Sequence, residues 1–184
     1  MVGKILGRGG FGNVNEIIKI NLSPVLGPEE DGIVDRNYMA KNVLREGNPR
    51  YAIKKLRNDL GEEEQIRGLM DLSLEAKFLA VFNHPHILKL RGLGSTGYLH
   101  EEFFILLDRL YNTLEAQCKK WSLRLHTTSF KKLMDIKGKY KKDFLLERMA
   151  IAYDIAAAVH HMHENKVLYR DLVRFVRKLK KIWT

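Results

Sequence analysis

The sequence predicts an α+β chain: a five-stranded antiparallel sheet with one main helix, followed by a helical region. Three patterns predict it. Apolar runs of strand character flank a turn at residues 2–20 and again at 86–110, with one more such run at Tyr51–Leu56. Residues 62–83 carry apolar side chains at helical spacing. Beyond Leu110 the patterning is helical only, and it ends in a segment, Phe144–His163, that is apolar nearly all round and so needs cover on several sides.

Taken in order, Val2, Ile5 and Leu6 precede Gly7-Arg8-Gly9-Gly10-Phe11-Gly12, and Val14, Ile17, Ile18 and Ile20 follow it, which predicts a hairpin. From about residue 21 to 49, Pro24 and Pro28 lie among glycines and acids. That stretch exceeds the usual connection of about 4–6 residues and reads as an inserted, mobile loop. Glu62, Glu63 and Glu64 suit a helix N-terminus, and Ile66, Leu69, Met70, Leu74, Phe78 and Val81 supply the apolar face of the main helix. Two apolar runs around Gly94-Ser95-Thr96 predict a second hairpin. The helical region is interrupted by a basic insert at about 119–142.

The 184 residues are 45% hydrophobic, enough for a core and too apolar for a disordered chain. The single cysteine, Cys118, excludes an internal disulfide and any CxxC zinc site, which points to a reducing compartment, cytoplasmic or nuclear. No apolar leader opens the chain, and no run approaches the roughly 20 residues that span a bilayer, so no membrane partner is expected. The net charge of +10 would suit nucleic acid, but five of the basic residues, Arg174, Arg177, Lys178, Lys180 and Lys181, lie in the tail at 173–184. Without them the excess is +5, and neither the tail nor the insert sits in a zinc-finger or helix-turn-helix frame. Both read as solvated basic segments, and a nucleic-acid partner is not expected. His160 and His163 are three apart on a helix, but no third ligand is evident and no metal site is assigned.

The glycine turn matches GxGxxG, in which missing side chains let backbone amides approach phosphate oxygens. In a dinucleotide-binding domain the third glycine opens a helix, whereas here Asn13-Val14-Asn15-Glu16-Ile17 continues as a strand. With Tyr51-Ala52-Ile53-Lys54, Glu75 nine residues ahead of His84, the strand Phe103–Leu110 and Tyr169-Arg170-Asp171-Leu172, the set resembles the amino-terminal two thirds of a eukaryotic protein kinase domain. The resemblance covers nearly the whole chain up to Leu172.

It implies a kinase N-lobe at 1–110, a hinge near 108–112 and a partial helical C-lobe at 111–172. Leu6, Gly7, Gly9, Gly12, Val14 and Ala52 would line an ATP site, with Leu107 at its back and backbone groups near Asp108 and Leu110 meeting the adenine edge. Lys54 would hold the α- and β-phosphates and pair with Glu75. Asp171 would accept the proton of a protein substrate's hydroxyl. The implied activity is ATP-dependent phosphoryl transfer, of serine/threonine type, with Mg2+.

After Asp171 the kinase pattern has a lysine and then an asparagine that ligates magnesium; Val173 and Val176 stand there instead. No DFG aspartate follows. The expectation is therefore a truncated kinase, inactive as written, or alternatively a non-catalytic, pseudokinase-like module that binds nucleotide or a partner. The helix at 144–163, lacking its usual cover, is expected to drive self-association or to need a partner.

Overall fold

The computed structural model describes residues 1–22, 30–94, 100–127 and 139–168. These fall into two compact units, one of residues 1–81 with 89–109, the other of 82–88 with the chain from Leu110 onward.

The first unit is built on a five-stranded antiparallel sheet in the order β1-β2-β5-β7-β6. Its strands are β1 (Val2–Arg8), β2 (Gly12–Ile17), β5 (Tyr51–Leu56), β6 (Leu90–Gly94) and β7 (Phe104–Asp108). Side chains alternate across a strand, so register decides what each face carries. Gly12, Val14 and Glu16 lie opposite Leu56, Lys54 and Ala52, and the last two lie opposite Ile105 and Leu107. On that face packs α2 (Glu62–Val81). The other face carries a second apolar cluster of Ile17, Val43 and Tyr51, with Ile20, Met39, Ile53 and Leu106 against it.

Met39 and Val43 belong to the stretch read from sequence as a mobile loop. There the described residues form α1 (Glu30–Lys41) and a small hairpin of β3 (Leu44–Arg45) and β4 (Asn48–Pro49). The hairpin closes through Glu46 and Gly47, with φ of 52° and 76°, a two-residue turn whose twist matches that of its strands. Proline and acid content suggested a loop. What holds the segment is not periodicity along α1 but a few apolar side chains reaching the sheet.

The face of α2 also differs from the sequence reading. The residues at apolar helical spacing are its exposed side: Ile66, Met70, Leu74 and Val81 are 56%, 60%, 53% and 72% exposed. The buried side is Gly68, Leu72, Ser73 and Ala76, mostly small residues that let the helix axis approach the sheet closely. A Cβ on Gly68 would come within 2.6 Å of Phe11 Cβ and 2.8 Å of Leu56 Cδ2.

In the second unit α3 spans Leu114–Thr127 and α4 spans Lys139–Glu164. Thr113 caps α3, its hydroxyl accepting from the Ala116 N–H at 3.1 Å. Both helices run into the stretch read as a basic insert, because lysine-rich turns carry no apolar signal yet have good helix propensity. Gln117 and Arg124 bind the two carboxylate oxygens of Glu147 at 2.7 and 3.1 Å. Trp121 meets Phe144 edge-on, with ring centroids 6.4 Å apart. The end of α4 is a Schellman turn: Lys166 N–H donates to His163 O at 2.9 Å and Val167 N–H to Met162 O at 2.9 Å, with Lys166 at φ 59°. Ala158 and Met162 are buried, whereas Leu145, Leu146, Met149 and Tyr153 are each more than half exposed. Among the described residues no helix is long and apolar enough to cross a membrane.

Candidate functional site

Strand register brings Val14, Ala52 and Lys54 onto the α2 face of the sheet. Ala52, beside the lysine on that face, is buried at 3% exposed. One helix away, Glu75 points back at the sheet and its carboxylate pairs with the Lys54 ammonium. The two side chains keep 20% and 29% of their surface, so the lysine is oriented by its partner and still open to an incoming anion. The chain positions join residues 21 apart in sequence through one hydrogen bond.

The glycine turn joins β1 to β2, closed by Gly9 N–H donating to Gly12 O at 2.7 Å. None of its glycines takes a positive φ, so conformational freedom is not why they are there. Gly12 is the crowded one, where a Cβ would meet Lys55 O at 3.1 Å. Gly7 and Gly10 face open space, and Gly7 lies opposite Val14 in the ladder, next to half-buried Leu6. An open strip of backbone beside Lys54 is a surface that can receive phosphate oxygens.

The tip of that turn is anchored by residues the sequence reading did not single out. Phe11 packs on α2 at Gly68. Arg57, at the end of β5, donates its backbone N–H to Phe11 O at 2.9 Å and its Nη1 to Gly10 O at 3.2 Å. Asp59 holds the same guanidinium by two bonds of 2.8 and 2.6 Å, which lowers the Asp59 carboxyl to about 2 and raises Arg57.

At the other end of the face, Leu107 is buried and Asp108 and Arg109 leave β7. The Asp108 carboxylate is forked by Arg91 of β6, at 2.7 Å from Nε and 3.1 Å from Nη2, and its N–H donates to Lys89 O at 3.3 Å. Arg109 pairs with Glu16 of β2 at 2.9 Å. A charge at Glu16, on a strand face otherwise occupied by Val14 and Gly12, was the available sign that something partners it. Leu110 belongs to the second unit. Asp171, with Tyr169, Arg170, Val173 and Val176, lies outside the described residues.

The second unit holds a histidine cluster. His84 stacks on His161 with centroids 5.0 Å apart and meets His86 edge-on at 5.3 Å, while His86 Nε2 lies 3.4 Å from Asp154 Oδ1. Burial, then the neighbouring His161 and His86, push the His84 imidazole below its usual range. His160 lies 3.4 Å from Glu164 along the helix. Among the described residues no group of three or more His, Cys, Asp or Glu side chains could hold a metal ion. A scan against models of protein families and a search of curated proteins each find no match to this chain.

Proposed function

We propose that the first unit is the nucleotide-binding lobe of a protein kinase, with ATP lying against the face that carries Val14, Ala52 and Lys54. The observation that carries the reading is the Lys54–Glu75 pair, set on that face beside an open glycine turn. The base would rest on the side of the sheet that carries Val14 and Ala52, with backbone near Asp108 at its edge and Leu107 behind. Lys54, aimed by Glu75, would meet the α- and β-phosphates, and the turn that carries Gly7, Gly9 and Gly12 would lie against them.

In the transfer reaction the substrate hydroxyl oxygen bonds to the γ-phosphorus as its bond to the bridging oxygen breaks, ADP leaves, and the proton goes to the Asp171 carboxylate. Magnesium, when bound, neutralises the phosphates. Among the described residues no group of three or more His, Cys, Asp or Glu side chains could hold it. A second reading, nucleotide binding without transfer, is favoured by Val173 and Val176 standing where the kinase pattern has a lysine and a magnesium-binding asparagine.

Calorimetry of the full chain with ATP and with adenosine tests the proposal. Lys54→Met should weaken ATP about tenfold or more, the worth of a charge-assisted bond, and leave adenosine within about twofold. Equal losses for both ligands, or no binding by the unmutated chain, contradict it. A magnesium-dependent radiolabel assay separates the two readings: transfer abolished by Asp171→Asn supports the enzyme, and binding without transfer supports the module.

A further inference from the structure

The ion pair of Glu16 and Arg109 has no part in the chemistry above, yet it is among the most buried charged contacts of the first unit. Glu16 is 8% exposed and lies on the face of Val14 and Ala52, opposite Ala52 in the ladder. Its Oε2 is 2.9 Å from Arg109 Nη1, and its Oε1 accepts from the Lys4 N–H on β1 at 3.4 Å. Gly3 makes room for it, since a Cβ there would meet Glu16 Cγ at 2.7 Å. Arg109 is fixed from its own side as well, its N–H donating to Arg50 O at 2.8 Å. The residue before it, Asp108, is forked by Arg91. One carboxylate thus ties β1 and β2 to the chain leaving β7.

We infer that Glu16 and Arg109 are positioning residues for the purine base: they fix β2, with Val14, relative to the backbone of Asp108 and Arg109 across the intervening β5. The inference rests on the nucleotide reading above. A buried ion pair is a poor source of stability, because apolar residues of similar size serve as well or better. What it supplies is direction, since a guanidinium meets a carboxylate in a restricted plane. Neither residue belongs to the phosphate end, where Lys54 and the glycine turn lie, so the pair acts on the base alone.

The test is calorimetry on the full chain with adenosine and, separately, inorganic tripolyphosphate. Glu16→Met/Arg109→Met removes both charges together, so neither is left buried alone, and Arg109→Lys keeps the charge but loses the planar guanidinium. A thermal melt confirms that each variant folds. The double variant should bind adenosine about tenfold or more weakly and tripolyphosphate within about twofold of the unmutated chain, with Arg109→Lys in between. Should the double variant not fold, Arg109→Lys decides by the same ratio. A folded variant with adenosine affinity unchanged, or with parallel loss of both ligands, overturns the positioning role alone. An unmutated chain that binds neither adenosine nor ATP overturns the nucleotide reading and this inference with it.

Discussion

Replacing Gly68 by alanine sets two effects against each other on α2. In a helix interior the change should stabilise by about 0.5–1 kcal/mol, because glycine loses more conformational freedom on folding. The new Cβ, however, would lie 2.6 Å from Phe11 Cβ, 2.8 Å from Leu56 Cδ2 and 3.1 Å from Phe11 Cγ. Phe11 Cβ is not the far end of a flexible side chain. It can retreat only with its backbone, which Arg57 holds through Phe11 O and Gly10 O. Overpacking of this kind costs about 1–3 kcal/mol, so the clash should win and Gly68→Ala should destabilise by about 0.5–2 kcal/mol. Urea unfolding measures the loss, and amide exchange at Phe11 and Gly12 should accelerate as the turn loosens. In a Phe11→Gly background the contact with the Phe11 side chain is gone, Leu56 Cδ2 is the far end of a side chain that can turn aside, and the same substitution should become stabilising. If Gly68→Ala stabilises the unmutated chain and leaves exchange unchanged, Phe11 is not seated on α2.

Three further outcomes are expected. Lys166→Gly should raise the melting temperature by about 1 kcal/mol worth of stability, because Lys166 holds φ 59° at the end of α4 where glycine is unstrained; a lower melting temperature would reject the Schellman turn. The Arg57–Asp59 pair lowers the Asp59 carboxyl to about 2, so its contribution is fully present above the unfolded value of roughly 3.9 and is lost as pH falls through about 2. The stability gap between the unmutated chain and Asp59→Asn should therefore close across that window, and a gap that stays constant would show that the carboxylate is not held by the arginine. Met70→Glu/Leu74→Glu places charges on the exposed stripe of α2, where the two residues are 60% and 53% exposed, and should reduce apolar-dye binding and self-association on size-exclusion chromatography without unfolding the chain. Unchanged dye signal would mean that the sticky surface lies elsewhere.

The sheet was legible in the sequence because period-two apolar runs and a glycine turn are local signals, and strand pairing follows from them. The face of α2 was not. Apolar spacing pointed to Ile66, Met70 and Leu74, while the buried side is Gly68, Ser73 and Ala76 with Leu72, chosen by closeness to the sheet rather than by apolarity. The helix at Glu30–Lys41 was hidden for a related reason, since its anchorage is a tertiary contact through Met39 and Val43. At the site, Lys54 and Glu75 could be read from spacing and motif. Glu16, Arg109 and Arg57 could not, because each acts through a partner far along the chain, and a charge in a strand shows only that some partner exists.

In the proposed nucleotide-binding mode, Lys54 stands at the phosphates of the bound ATP. An ATP analogue with an acylated γ-phosphate transfers its acyl group to whichever amine lies against the phosphates, forming an amide as the mixed anhydride breaks and ATP departs. Peptide mass spectrometry then names the lysine. One dominant acylated residue, Lys54, is expected, with labelling suppressed by excess ATP and only weakly by adenosine. Acylation spread over the surface lysines, or labelling of Lys54 that excess ATP does not suppress, would contradict it.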